Sequence, residues 1–141
     1  MNQKLFIDTD IILDILAKRE PFHNPAAQLF ALIEERKVDA FTSPVVLSNL
    51  FCILSKFRSK NFAHSCLRKL RLLFSVIQVD EKVIDLALNS EFKDFEDAIQ
   101  FYAAKFHNLD FIITRNVKDF VSKEIVVLTA EDYIERFGAI P

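Results

Sequence analysis

The chain has 141 residues, 51% of them apolar, a formal net charge of −2 and two cysteines. That is the length of one ordinary domain with enough apolar material for a real core, and no apolar run reaches the roughly eighteen residues that a membrane span needs. The opening "MNQKLFIDTD" lacks the basic start, long apolar stretch and small-residue cleavage site of a secretory signal, so one globular domain over 1–141 in the cytoplasm is expected.

Taken in chain order, "KLFI" at 4–7 has the length of a buried strand and leads into a helix over 9–17. A second helix covers 23–36 with Pro25 in its opening turn, and "DAFT" at 39–42 is the next strand. Ser43 as cap and Pro44 at the first helical position start a helix over 44–57, followed by another over about 60–73. "SVIQV" at 75–79 reads as a third strand and "EKVIDLALN" at 81–89 as a helix. The segment 95–108 carries Phe95, Ala98, Ile99, Tyr102, Ala103 and Phe106 at helical spacing. "DFIIT" at 110–114 and "IVVL" at 125–128 are the last strands, and a helix from Ala130 to Phe137 closes the chain. Strands separated by helical crossovers imply an α/β fold, a mostly parallel sheet of about five strands with helices on both faces.

The single glycine, Gly138, excludes P-loop and Rossmann nucleotide sites, which need glycine where backbone approaches phosphate. No glycine-flanked serine supports a Ser-His-Asp triad, and His23, His64 and His107 lie far apart, as surface or packing residues do. Cys52 and Cys66 have no metal-ligand spacing with histidine and sit in apolar helical segments, so they read as buried free thiols.

The acids are more informative. "LFIDTDIILDIL" at 5–16 places Asp8, Asp10 and Asp14 in an otherwise apolar stretch, and a carboxylate there needs a partner, a proton or a cation. Asp8 directly follows the first strand, and Asp119 lies five residues past Thr114 at the end of the fourth, so both fall at the carboxyl edge of the sheet, where α/β proteins bind ligands. Asp97 falls in the first turn of the helix before that strand. Asp94, three residues earlier, is either an N-cap or a fourth acid on the same face. Such a group repels itself unless a cation shares it, and oxygen-only ligation points to Mg²⁺ or Mn²⁺ rather than zinc.

Three stretches, "FIDTDIILDIL", "AFTSPVVLSNLFCIL" and "DFEDAIQFYAAKFHNLDFIITRNVKDF" at 94–120, resemble the PIN domain family over nearly the whole chain. The resemblance implies a metal-dependent endoribonuclease, in many members the toxin of a VapBC-type toxin–antitoxin pair. It places Asp8, Asp97 and Asp119 at acidic metal positions, Thr114 at a supporting Ser/Thr position and Asn116 at a frequent polar one. Asn49 stands where the family commonly has glutamate. An amide oxygen can accept but brings no charge, so metal affinity should fall. Asp10 and Asp94 could restore the charge, while Asp14 reads as a solvated helix acid. "KREPF" at 18–22 and "TRNVKDF" resemble a subset that carries Asn at that position.

From Ala40 through Val79 there is no Asp or Glu, whereas Lys56, Arg58, Lys60, Arg68, Lys69 and Arg71 all lie in that window. With Arg115 they are the expected RNA-backbone contacts, the alternative being a solvated basic hairpin. The fifteen phenylalanines are mainly core material. Any left exposed, as around Phe51, Phe57, Phe62 and Phe74, would mark a homodimer face or the groove for an antitoxin. Two further functions are weighed. A PIN-like module that binds RNA or protein without cutting is suggested by Asn49, and "IDTDI" also resembles the nucleophile motif of haloacid-dehalogenase-type phosphatases.

Overall fold

The computed structural model describes residues 1–122 and 124–138. Among these, five strands and seven α-helices follow the order β1 (Lys4–Ile7), α1 (Thr9–Leu16), α2 (His23–Glu34), β2 (Asp39–Thr42), α3 (Pro44–Phe57), α4 (Lys60–Leu73), β3 (Phe74–Val76), α5 (Glu81–Leu88), α6 (Phe95–Phe106), β4 (Phe111–Ile113), β5 (Val126–Leu128) and α7 (Ala130–Phe137). A short 3-10 turn, Val117–Asp119, lies between β4 and β5. None of these helices is long and apolar enough to cross a membrane.

All strand pairs are parallel, in the order β3-β2-β1-β4-β5. The chain first winds outward from β1 through β2 to β3, then returns to place β4 on the other side of β1. The order of winding therefore reverses between β1 and β4, which opens a crevice at their carboxyl ends. The strands are apolar without alternation because both sheet faces are covered: Leu5, Phe6, Ile7, Ile112 and Ile113 are wholly buried. Against the sheet α3 and α4 bury Val46, Leu50, Leu54, Ala63 and Leu70, and α6 buries Ala98, Phe101 and Ala104.

The helices begin where capping chemistry dictates. Ser43 Oγ accepts from Val46 N, Ser59 from Phe62 N, Asp80 from Val83 N, Asp94 from Asp97 N and Thr129 from Asp132 N. Their ends are unusual because glycine is missing. Lys18, Arg36 and Asn108 follow the C-caps of α1, α2 and α6 with φ of 50°, 60° and 56°, and each closes a six-to-one bond: Arg19 N to Asp14 O, Lys37 N to Leu32 O and Leu109 N to Ala104 O. Left-handed backbone costs a side-chain-bearing residue roughly 1 kcal/mol; these three positions carry that strain in place of glycine.

Three strands are shorter than the sequence suggests. α4 runs into β3 without a loop, so the third strand starts at Phe74 and not at Ser75, and stops at Val76. Asp110 leaves the fourth strand because its carboxylate accepts from Lys4 N, and the fifth starts at Val126. Of the phenylalanines, Phe6, Phe30, Phe74, Phe101 and Phe120 are buried, while Phe22, Phe57, Phe95 and Phe106 are exposed. Three of those four rings belong to cation–aromatic clusters: Arg115 lies over Phe22, Lys82 over Phe106, and Phe57 adjoins the Phe62 ring under Arg58.

Candidate active site

The crevice between β1 and β4 opens into a cavity of about 410 Å³ whose lining includes Asp8, Asp94, Asp97, Asp119, Asn49 and Asn116. Asp8 is the first residue after β1 and caps α1, its Oδ1 accepting from Thr9 N at 2.7 Å. Its other oxygen, Oδ2, accepts from the Thr114 hydroxyl at 2.7 Å, and Thr114 Oγ1 accepts in turn from Asn116 N at 3.1 Å. Asp97 sits in the first turn of α6, where the helix dipole favours a negative charge, and Asp119 ends the 3-10 turn that follows β4. Three separate elements thus bring acids from opposite ends of the sequence to one opening.

The electrostatics are those of an uncompensated anion cluster. Burial, then Asp94, Asp8, Asp119 and Glu96, push the Asp97 carboxyl up to about 7. Asp8 is also raised, by burial above all, with the Thr114 and Thr9 hydrogen bonds opposing the shift. No three His, Cys, Asp or Glu side chains among the described residues are arranged to clasp an ion directly. The donor set nonetheless fits a hard cation that keeps much of its water, as Mg²⁺ does: it is all oxygen and lines an open cavity.

The other candidate residues divide. Asp94 is the N-cap of α6 and also lines the cavity. Asp10 lines it too, but its Oδ1 lies 3.3 Å from Arg19 Nη2 and 3.5 Å from Arg115 Nη2. Asp14 is not a solvated helix acid. It is 1% exposed and is held by Arg19 Nε at 3.1 Å and Arg115 Nε at 3.5 Å; α1 turns it inward between apolar neighbours, and two guanidinium groups compensate it. Arg115, grouped from the sequence with the RNA-contacting cations, is engaged in this pair and stacked on Phe22. Lys56, Arg58, Lys60, Arg68, Lys69 and Arg71 are all exposed on the α3–α4 hairpin. Cys66 is buried, whereas Cys52 is exposed and lines the cavity, because it lies on the α3 face that also carries Asn49 and Ile53.

Two residues were not singled out from the sequence. Glu96 lines the cavity together with Asn49; burial raises its carboxyl, and the Asn49 side chain beside it opposes the shift. Gln100, wholly buried, lies beside the Asp8 carboxylate with its Nε2 3.5 Å from Glu96 Oε1. The signal was helical spacing, since Gln100 stands one turn after both Glu96 and Asp97.

The chain is similar in sequence and in fold to known proteins. Ribonuclease VapC1 of Aquifex aeolicus (strain VF5) is 28% identical over 99% of each chain. A toxin–antitoxin complex from Klebsiella pneumoniae contains a chain that superposes with a TM-score of 0.67 at 24% identity, covering 89% of this chain and 97% of that one. The Mycobacterium tuberculosis toxin VapC20, described as cleaving the sarcin–ricin loop, superposes with a TM-score of 0.62 at 18% identity, over 77% and 86% of the two chains. These superpositions show a shared fold, and the phosphatase reading of "IDTDI" finds no counterpart among them. Residues 4–118, from β1 to one residue short of Asp119, match the PIN domain, and the chain belongs to the PIN domain family.

Proposed function

We propose that the chain is a metal-dependent endoribonuclease, the toxin of a toxin–antitoxin pair, working in the cytoplasm as one domain over 1–141. The observation that carries this reading is the meeting of Asp8, Asp97 and Asp119 in one open cavity, with Asp97 pushed up to about 7 by burial and its acidic neighbours. The likeness to Ribonuclease VapC1 supports the same reaction.

Asp8, Asp97 and Asp119 would hold Mg²⁺ or Mn²⁺, which supplies charge neutralisation at the scissile phosphate and lowers the pKa of water. Thr114 fixes the Asp8 rotamer, Asp94 caps the helix that presents Asp97, and Asn116 orders the turn that leads to Asp119. The exposed cations lie on the α3–α4 hairpin, whose α3 also lines the cavity through Asn49, Cys52 and Ile53, and they would hold the RNA backbone without reading bases. The partners are an antitoxin, as in the Klebsiella complex, and a second copy of the chain. Exposed Ile53 and Phe57 on α3 are surface that such a partner would cover.

RNA cleavage in Mg²⁺ or Mn²⁺, absent with chelator and absent in Asp97→Asn while circular dichroism stays unchanged, tests the proposal. A second reading, a PIN-like binding module without catalysis, is favoured by one observation: no three acids among the described residues clasp an ion directly as they stand. RNA binding that survives in wild type with no cleavage in either metal would establish it.

A further inference from the structure

The position where the resemblance expects a glutamate holds Asn49, which has no charge to give. Asp10 and Asp94, the two acids that could replace it, are both committed. Asp10 Oδ1 faces two guanidinium groups at 3.3 and 3.5 Å, and Asp94 Oδ1 accepts the Asp97 N–H at 2.9 Å. Glu96 is what remains. It stands in the first turn of α6, half-buried, with its side chain lining the same cavity. No Lys or Arg among the described residues forms an ion pair with it.

Its contacts are those of an aimed group. Asn49 and Glu96 line the same cavity wall, and since a carboxylate can only accept, the Asn49 NH₂ is the group that can serve it. The Gln100 amide contacts both Glu96 and Asp8, which ties the new acid to the one fixed by Thr114. Charge has thus moved from α3 to α6, while the α3 residue keeps a hand on it.

We propose that Glu96 supplies the negative charge that Asn49 lacks, holding a divalent cation or one of its waters together with Asp8, Asp97 and Asp119, and that Asn49 is a positioning residue acting through Glu96. The inference rests on the metal-dependent reading of the site and names the group that completes it.

The test is Mn²⁺ binding to the full chain by titration calorimetry, alongside RNA cleavage, in wild type, Glu96→Gln, Asn49→Ala, the double variant Glu96→Gln/Asn49→Glu, and Asp97→Asn. Glu96→Gln should weaken Mn²⁺ binding by about 10- to 100-fold, the range for removing a group that supports a metal site, with its circular dichroism spectrum unchanged. Asn49→Ala, which leaves every acid in place, should weaken it less. Returning the charge to α3 in the double variant should recover most of the loss, an effect that a merely structural glutamate would not produce. Wild-type Mn²⁺ affinity in Glu96→Gln, or a double variant no tighter than Glu96→Gln, overturns the proposal. If Glu96→Gln binds normally while Asp97→Asn loses both binding and cleavage, the ribonuclease reading stands and only Glu96 is misassigned. A wild-type chain that binds no Mn²⁺ removes both.

Discussion

The Thr114 hydroxyl donates a 2.7 Å hydrogen bond to Asp8 Oδ2, joining residues 106 positions apart at the carboxyl ends of the two strands that flank the crevice. Both groups are buried, so little water competes for the bond, and an ionised Asp8 makes it charge-assisted. Thr114→Val keeps the shape and removes the donor, and should cost about 1.5–3 kcal/mol of stability, whereas Thr114→Ser should cost far less. Urea unfolding in chelator measures both. Equal stabilities for the Val and Ser variants would show that the bond holds nothing.

Asp97 gives the apo protein an inverted pH dependence. Its folded pKa of about 7 lies above the unfolded value near 3.8, so between those values the native chain holds a proton that the unfolded chain has released. Stability therefore falls as pH rises from about 4 to about 7 and levels off beyond, by an amount on the order of 4 kcal/mol. Asp94, Asp8, Asp119 and Glu96 surround the group, and burial is the leading cause. Asp97→Asn should flatten the slope and raise the apo melting temperature at pH 7.5 by a few degrees, while abolishing cleavage; Mn²⁺ should flatten the wild-type slope. Identical pH–stability curves for wild type and Asp97→Asn in chelator would remove the electrostatic account.

How far the sequence carried depended on whether the determining contact was local. Ser43–Pro44 and Asp94 mark helix starts because a cap and the N–H that donates to it lie within one turn, and parallel strands read as apolar runs because both faces are covered. Asp8 and Asp119 could be placed at one edge since each follows a strand. Asp14 could not be read correctly: its burial is tolerable only because Arg19 and Arg115 reach it, and the Arg115 contact belongs to the tertiary fold. Glu96 was hidden beside Asp97, since a neighbouring helical residue points about 100° away and only the docking of α3 on the cavity turns that direction into a contact with Asn49. The exposure of Cys52 likewise follows from which face of α3 the sheet covers.

Arg115 supports the fold more than the substrate. Its guanidinium lies 3.5 Å from both Asp10 Oδ1 and Asp14 Oδ2 and its Cζ is 4.1 Å from the centroid of the Phe22 ring. Arg115→Ala should destabilise by about 2–3 kcal/mol, below the ~3–5 of a buried acid left wholly unpaired, because Arg19 still holds Asp14. It should leave the salt dependence of RNA binding unchanged. Thermal unfolding together with binding at several salt concentrations separates the two roles, and a loss of RNA affinity at full stability would reverse the assignment.

The thiols should differ sharply. Cys52 is exposed at the cavity, while Cys66 is buried and burial pushes its thiol up. The folded chain should therefore react with a thiol reagent at one site, the second becoming reactive only on unfolding. A bulky maleimide on Cys52 should crowd the cavity and suppress RNA cleavage, with Cys52→Ser immune to the reagent. Fast labelling of both cysteines in native buffer would contradict the packing of α4.

The basic hairpin yields the most direct evidence on the substrate. Lys69 and Arg71 are exposed on α4, and although one Arg71 nitrogen donates to Phe74 O at 2.9 Å, the guanidinium retains donors for phosphate. Phosphate contacts release counterions, so each should add about 0.7 to the slope of log affinity against log salt for a single strand. Replacing both residues by Ala should lower that slope by about 1.4 and weaken binding alike for every sequence, since no base is being read. Asp97→Asn is the suitable background, because it removes cutting during the measurement while leaving the hairpin intact. A slope that does not move would return these cations to the status of a solvated helical face, leaving the acidic cavity to bind its RNA by other means.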